Sequence, residues 1–382
     1  MKQTSRKIIW SVITVIVVAL IIAFGIHRKQ VEETALREAN TTGKPVVKIG
    51  VVYPLSGNTA KWGKAAQVAG EMFFEEFNKK ADEHKFHYQL LWADNMSEAR
   101  HAQTAAMKLI NVDSIDAAIS SISALAAPVS LLAEKNKVLS ISVTSDPEIR
   151  KRAYNFSLVS DLREMAEKFY EVLLKKGVKR ISIVGQQSSG QIGFVEEVQK
   201  LFQEKQGIQI SSVHYTNPGE YEFRILIQKI KREKPDYIYA QMLNPEIDVF
   251  MKQLKEANVS IPVSGLHIFN YIENKNLAEG LWWVDSAIAT PDFMEKYSKK
   301  AGHETLDYGE CFYTILDIIT AAYEGVGEKD NDKAVDFIMT HIQNYPTVIG
   351  NILTDRTRLI FGPTTVQKIV NGKMVIVSEE EI

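Results

Sequence analysis

From residue 46 onward, short apolar runs rich in β-branched residues alternate with longer stretches whose apolar positions recur every three or four residues. That alternation restricts the fold to βα units, built into parallel sheets with helices on their faces. Strand character marks residues 46–53, 86–94, 115–119, 138–143, 154–159, 180–184, 208–215, 237–241 and 281–289. Helical periodicity marks 64–80, 97–111, 125–135, 161–176, 191–204, 222–233, 246–257, 292–301 and 309–323. So many units exceed one sheet of ordinary width, and two lobes of the same α/β architecture accommodate them more economically.

The chain is long enough for that. Its 382 residues are 45% hydrophobic and 24% charged with a formal net charge of -2, an ordinary globular balance that can fill two cores. Lys and Arg are spread along amphipathic helices rather than gathered into a basic stripe, so no nucleic-acid partner is expected. Catalysis is not expected either: the sequence has no G-x-S-x-G, H-E-x-x-H, C-x-x-C or Walker motif, and His84 and His87 have no third metal ligand nearby. No cofactor is expected; Gly185, Gly190 and Gly193 follow a strand but do not form the dinucleotide spacing. Cys311 is the only cysteine, which rules out an internal disulfide, and it falls within an apolar helical run where a buried thiol is inert.

The first loop carries the most specific wording. The run 46–53 ends in Pro54-Leu55-Ser56-Gly57, and a helix with apolar Ala65, Val68, Ala69, Met72, Phe73 and Phe77 comes next. A loop at the carboxyl end of a parallel strand and the amino end of a helix is where open α/β sheets place ligands.

Upstream, residues 8–26 form an apolar run broken only by Ser11, Thr14 and Gly25. At ~1.5 Å per residue it approaches the ~30 Å of a bilayer core. Lys2, Arg6 and Lys7 precede it, which favours export of the chain beyond residue 26. Residues 1–29 are therefore expected to be a retained signal anchor, a transmembrane helix holding the chain to the cytoplasmic membrane. A cleaved signal peptide with a mediocre site at Ala23-Phe24-Gly25 is the alternative. Residues 30–45 are polar and read as a tether.

The Pro-Leu-Ser-Gly loop, with Trp62 and Gly63 after it, resembles the opening of the periplasmic solute-binding proteins for branched-chain amino acids, the capture components of ATP-driven importers. The resemblance runs over roughly residues 46–378 and closes on Asn371-Gly372-Lys373. It implies a type I periplasmic binding protein: two Rossmann-like lobes joined by three crossovers, with a small ligand between them. Crossings near Ser160, Asp285 and Pro346 would give lobe one residues 46–160 plus 286–345 and lobe two residues 161–285 plus 346–382. The implied ligand is an amino acid or a related small carboxylate or amide. The implied partner is an ABC permease, with a membrane-tethered sensor acting on a separate membrane protein as the alternative.

Site residues come from the same resemblance. Ser123 and Ala124 open the third helix, where unpaired amides make an anion seat, although Ser123 is equally placed as a simple N-cap. Thr144 and Ser145 lie in a loop that resembles the family's Ser-Ala-Thr-Ser-Pro segment, with Asp146 as an apparent extra residue. Ser189 stands where relatives commonly carry a tyrosine that closes over the ligand, and His267 and Asn270 lie where amino-acid binders often carry a carboxylate. Trp62 either stacks on a ligand or packs under the loop, and Tyr308 corresponds loosely to an aromatic facing the cleft.

Overall fold

The computed structural model describes residues 43–267, 272–286, 289–303 and 306–382, with Ser189 and Gly190 in backbone only. The expected anchor and tether, up to residue 42, lie outside the described residues. Among the described residues no helix is long and apolar enough to cross a membrane.

The chain runs β1 (Val46–Tyr53), α1 (Ala60–Phe77), β2 (His87–Asp94), α2 (Ala99–Asn111), β3 (Ala117–Ser121), α3 (Ser123–Lys135), β4 (Leu139–Val143), α4 (Pro147–Arg150) and β5 (Asn155–Leu158). It continues α5 (Leu162–Lys175), β6 (Arg180–Gln186), α6 (Ser189–Lys205), β7 (Gln209–Thr216), α7 (Arg224–Glu233), β8 (Tyr237–Gln241), α8 (Glu246–Glu256), β9 (Val263–Ser264) and β10 (Trp282–Ser286). It closes with α9 (Pro291–Ala301), α10 (Gly309–Val326), α11 (Asn331–His341), β11 (Tyr345–Thr347), β12 (Gly350–Thr354), β13 (Leu359–Phe361), β14 (Thr364–Val370) and β15 (Lys373–Val377).

An eight-stranded sheet, ordered β11-β12-β13-β5-β4-β3-β1-β2, forms the first lobe. Its central strands β1 to β5 pair in parallel, and β11 and β12 add an antiparallel edge. Alternating side chains fill both faces: Val47, Ile49 and Val51 pack with α1 and α10, while Val52 and Ala118 pack with α2 and α3. The second lobe has a four-stranded parallel sheet, β7-β6-β8-β9, and a three-stranded sheet, β10-β14-β15, joined through a bridge between Leu266 and Val284.

The chain leaves the first sheet after β5, returns after β10 and leaves again between β13 and β14. The third crossing therefore falls at Gly362-Pro363, not near Pro346, and residues 346–361 belong to the first lobe. Leu359 and Ile360 pair with Ser157 and Leu158. Ile352 and Ile360 are 0% exposed in the first core, each burial worth about 1.5–3 kcal/mol. Pro346 sits within edge strand β11, where a missing amide is tolerated.

Helix α10 is the centre of the first lobe, and it carries a titratable group with a structural consequence. Asp317 accepts a hydrogen bond from Tyr345 Oη at 3.2 Å. Burial raises its carboxyl to about 6 against the opposing pull of that bond. The folded state therefore holds a proton that the unfolded chain gives up near pH 4, and this contribution to stability is lost as pH rises through 6. Asp317→Asn should remove that loss, leaving the variant more stable than the parent at pH 8 by about 1–2 kcal/mol after allowing for partial exposure. Denaturant midpoints for the two proteins at pH 4 and pH 8 test this; equal pH dependence would refute it.

Candidate functional site

The loops at the carboxyl ends of β1, β3 and β4 converge with the lead-in to α10 on one side of the cleft, and the residues around Gln241, His267 and Asp285 face them from the other lobe.

Two side chains from the second βα unit brace the first loop. Asp94 Oδ1 accepts from the amides of Leu55, Ser56 and Met96 at 2.9, 3.1 and 2.8 Å, and its Oδ2 accepts from Ser56 Oγ at 2.6 Å. Burial pushes the Asp94 carboxyl upward, but these four donors outweigh it and the net shift is downward. Ser97 Oγ bonds Thr59 Oγ1 at 2.8 Å and donates to the Ser56 carbonyl at 3.1 Å. Gly63 allows α1 to press against the same loop, since a Cβ there would sit 2.2 Å from the Pro54 carbonyl oxygen.

The ends of the third and fourth strands bring two hydroxyls together at a helix N-terminus, a setting chemically suited to an anion. Ile122 precedes α3 with φ 64 and ψ 119, a strained setting for a β-branched residue. Its amide donates to the Val143 carbonyl at 3.0 Å, and its carbonyl accepts from Leu125 and Ala126 at 2.8 Å, so the geometry is held from both sides. Ile122 is thus the N-cap and offers no side-chain acceptor, so the reading of Ser123 as N-cap is set aside. Ser123 is the first helical residue, its Oγ 2.8 Å from Thr144 Oγ1. Thr144 Oγ1 also accepts from the Asp146 amide at 3.1 Å, and with Thr144 donating to Ser123 the Ser123 proton remains for a ligand. The amides of Ser123 and Ala124 precede the first intrahelical donor, Leu125, and carry the positive end of the helix dipole. Thr144 is buried, whereas Ala124 and Ser145 are exposed.

Three predicted residues from distant parts of the chain meet across the cleft. The rings of Trp62 and Tyr308 lie 4.7 Å apart at 55°. Tyr308 Oη reaches His267 Nε2 of the second lobe at 3.2 Å, a hydrogen bond across the cleft. His267 Nδ1 lies 2.6 Å from Asp285 Oδ1, and Asp285 is 1% exposed. Trp283 Nε1 and the Ser286 amide also donate to Asp285, at 3.3 and 2.7 Å. The acid missing from the loop after β9 is thereby supplied one strand over, on β10, where it orients the histidine. Ser189 opens α6, but its side chain lies outside the described residues, as does Asn270.

Sequence reasoning overlooked two further parts of the cleft. One is an amide network in the second lobe: Tyr239 Oη donates to Gln241 Oε1 at 2.9 Å, Gln241 Nε2 donates to Gln191 Oε1 at 2.8 Å, and Gln186 Oε1 accepts from the Leu243 amide at 3.3 Å. These glutamines are buried, so the ends of β6 and β8 present neutral hydrogen-bonding groups. A glutamine ending an apolar strand was the available signal. The other is Glu310, in the first turn of α10, whose Oε2 is buried without a hydrogen-bond partner. Burial raises its carboxyl to about 7, Asp307 adding to the effect and Cys311 and His267 opposing it. Burial pushes the Cys311 thiol well up, so it stays protonated. Among the described residues no group of three or more His, Cys, Asp or Glu side chains is arranged to hold a metal ion.

Two α/β lobes with a cleft between them, paired hydroxyls at a helix N-terminus and a hydrogen bond across the gap define a ligand-capturing protein of the bilobed type. The family model for the periplasmic binding proteins matches residues 46–373, and the chain belongs to that family. Among curated proteins it is similar to the Leu/Ile/Val-binding protein BraC3 of Rhizobium johnstonii, 26% identical over 327 residues covering 81% of this chain and 88% of that protein. Among solved structures it is similar to a leucine binding protein from Thermotoga maritima, with a TM-score of 0.71, 21% identity, and coverage of 87% of this chain and 98% of that one. It is similar as well to a solute binding protein of an ABC transporter from Rhodopseudomonas palustris in complex with 3,4-dihydroxybenzoic acid, with a TM-score of 0.71, 18% identity, and coverage of 87% and 96%.

Proposed function

We propose that this chain is an extracytoplasmic receptor that captures a small carboxylate-bearing solute, an amino acid or a related acid, and delivers it to an ABC importer. The observation that carries this is the seat formed by Ser123, the Ala124 amide and Thr144: hydroxyls 2.8 Å apart at a helix N-terminus whose cap supplies no competing side chain. The ligands named for the relatives, aliphatic amino acids and a dihydroxybenzoic acid, have a carboxylate in common. That shared group is the one this seat is suited to hold.

Function here is binding rather than turnover. A ligand seated on the first lobe gains contacts to the Gln241 network and to His267 when the lobes close, and that differential affinity stabilises the closed form. The apolar run at residues 8–26, with its preceding basic residues, supports a membrane-tethered receptor facing a permease.

A thermal-shift screen of the purified protein against amino acids, their amides, aliphatic acids and aromatic acids tests the reading. A ligand at 100 times its dissociation constant should add about 2.7 kcal/mol of stability. Ser123→Ala and Thr144→Val should each weaken the selected ligand by roughly 10-fold or more, the loss expected for a hydrogen bond to a charged group. A shift given by amides and neutral analogues but not by acids would overturn it.

A further inference from the structure

Glu310 has no role in the fold or in the carboxylate seat. Its Oε2 is buried without a hydrogen-bond partner; the rest of the carboxylate is met by the Cys311 thiol, with Sγ 3.9 Å from Oε1, and by the residue's own backbone amide. Tyr53 Oη, Ser121 Oγ and Tyr297 Oη are also buried and lack a partner. Tyr53 and Ser121, 2% and 1% exposed, end β1 and β3, and their hydroxyls face each other without meeting hydrogen-bond geometry. The Glu310 charge acts on both Tyr53 and Tyr297, which places the four groups in one neighbourhood, with Ser121 two residues from Ser123 along the chain.

Among the described residues no Lys or Arg forms an ion pair with this carboxylate; Lys61 pairs instead with Asp307, at 3.0 Å. Asp307 and Cys311 lie near Glu310 along the chain, its charge acts on Tyr53 of β1 and Tyr297 of α9, Ser121 of β3 sits against Tyr53, and His267 acts on it from the opposite lobe. A buried carboxylate among hydroxyls and beside a second acid is costly as an anion unless a cation joins it.

We propose that Glu310 is a specificity-determining residue of the cleft: it receives the ammonium group of an α-amino acid whose carboxylate sits on Ser123 and Thr144. This deepens the carboxylate-receptor reading and rests on it. The cationic end of the ligand is then held from the first lobe, by a helix next to the crossing, while the second lobe contributes neutral amides and His267. Selectivity for α-amino acids over acids without the amine follows. Since the ligand-free carboxyl titrates at about 7, binding of an ammonium expels its proton, and affinity rises from pH 6 to pH 8.

The test is calorimetric titration of the purified full chain with the standard L-α-amino acids, each beside its des-amino counterpart, such as L-leucine beside 4-methylpentanoate. The parent should bind a selected amino acid at least ~10-fold tighter than its des-amino partner, as expected for loss of a charged hydrogen bond. Titrations at pH 7 in two buffers of different ionisation heat should reveal release of about half a proton. Glu310→Gln should abolish that release and shrink the preference to within about threefold. His267→Gln should leave the release in place, which distinguishes Glu310 from the histidine across the cleft. Equal or tighter binding of the des-amino acids by the parent, or no proton release, overturns the assignment of Glu310 and leaves the carboxylate receptor standing. Binding of neither member of any pair removes both. The proton-release measurement uses the parent protein alone, so it decides the matter even where Glu310→Gln does not fold.

Discussion

Phe312→Ala is expected to destabilise the protein by about 3–5 kcal/mol, the cost of emptying a large aromatic site in a packed core. Phe312 is 0% exposed and is the meeting point of the first lobe. Its ring stacks on Trp92 at 5.4 Å and 24° and meets Tyr53 edge-on at 5.4 Å and 79°. A Cβ on Gly70 of α1 would lie 3.2 Å from its Cε1, so α1 has little room to close in without rebuilding the contact. The cavity opens against Tyr53, at the end of β1 from which the first loop leaves, so ligand affinity should fall together with stability. Urea unfolding, with the ligand titrated in parallel, measures both. A loss below about 1 kcal/mol would mean that the lobe repacks and that this aromatic cluster does not hold the cleft floor.

The second large effect is expected at Asp94, which stands behind the first loop. Asp94→Ala removes the acceptor of three amides and one hydroxyl, and the loop from Leu55 to Ser56 loses what fixes it to the end of β2. Leaving those donors unpaired in a half-buried loop costs about 2–3 kcal/mol, less than the full sum because water reaches some of them. Ligand affinity should drop by roughly 10-fold, because Trp62 is carried on the helix that this loop starts. Asp94→Asn retains an acceptor and should recover part of both losses. Its pH profile adds a check: the carboxyl is held below its usual range, so the stability it contributes is present above about pH 4 and is lost as pH falls further. Unchanged affinity in Asp94→Ala would show that the loop holds its shape without the brace.

Much of the candidate site's geometry was legible because strand-end loops are short and chemically marked. Ser123 and Thr144 stand in adjacent loops of neighbouring parallel strands, so placing them at one end of one sheet brings them together. Trp62 and Tyr308 are 246 positions apart, and only the packing of α10 beside α1 sets their rings in contact. The third crossing was not legible, because Pro346 resembles a boundary while lying inside an edge strand. Strand β13 is only three residues long, too short for periodicity to register, and what assigns it to the first lobe is its pairing with β5.

The alternation of strands and helices, the two-lobed architecture and the strand-end loops that carry hydroxyls are all written locally in the chain, because side-chain period and turn chemistry are local properties. Which charges face the cleft is a matter of packing between distant segments. Asp285 reaches His267, 18 positions away along the chain, because a single bridge sets the segment after β9 beside β10. Glu310 looks like any acid in the first turn of a helix, where it would ordinarily complement the dipole in water. Only the packing of β1 and α9 near it removes the water and leaves a carboxylate whose burial, not its position in the chain, gives it a chemistry.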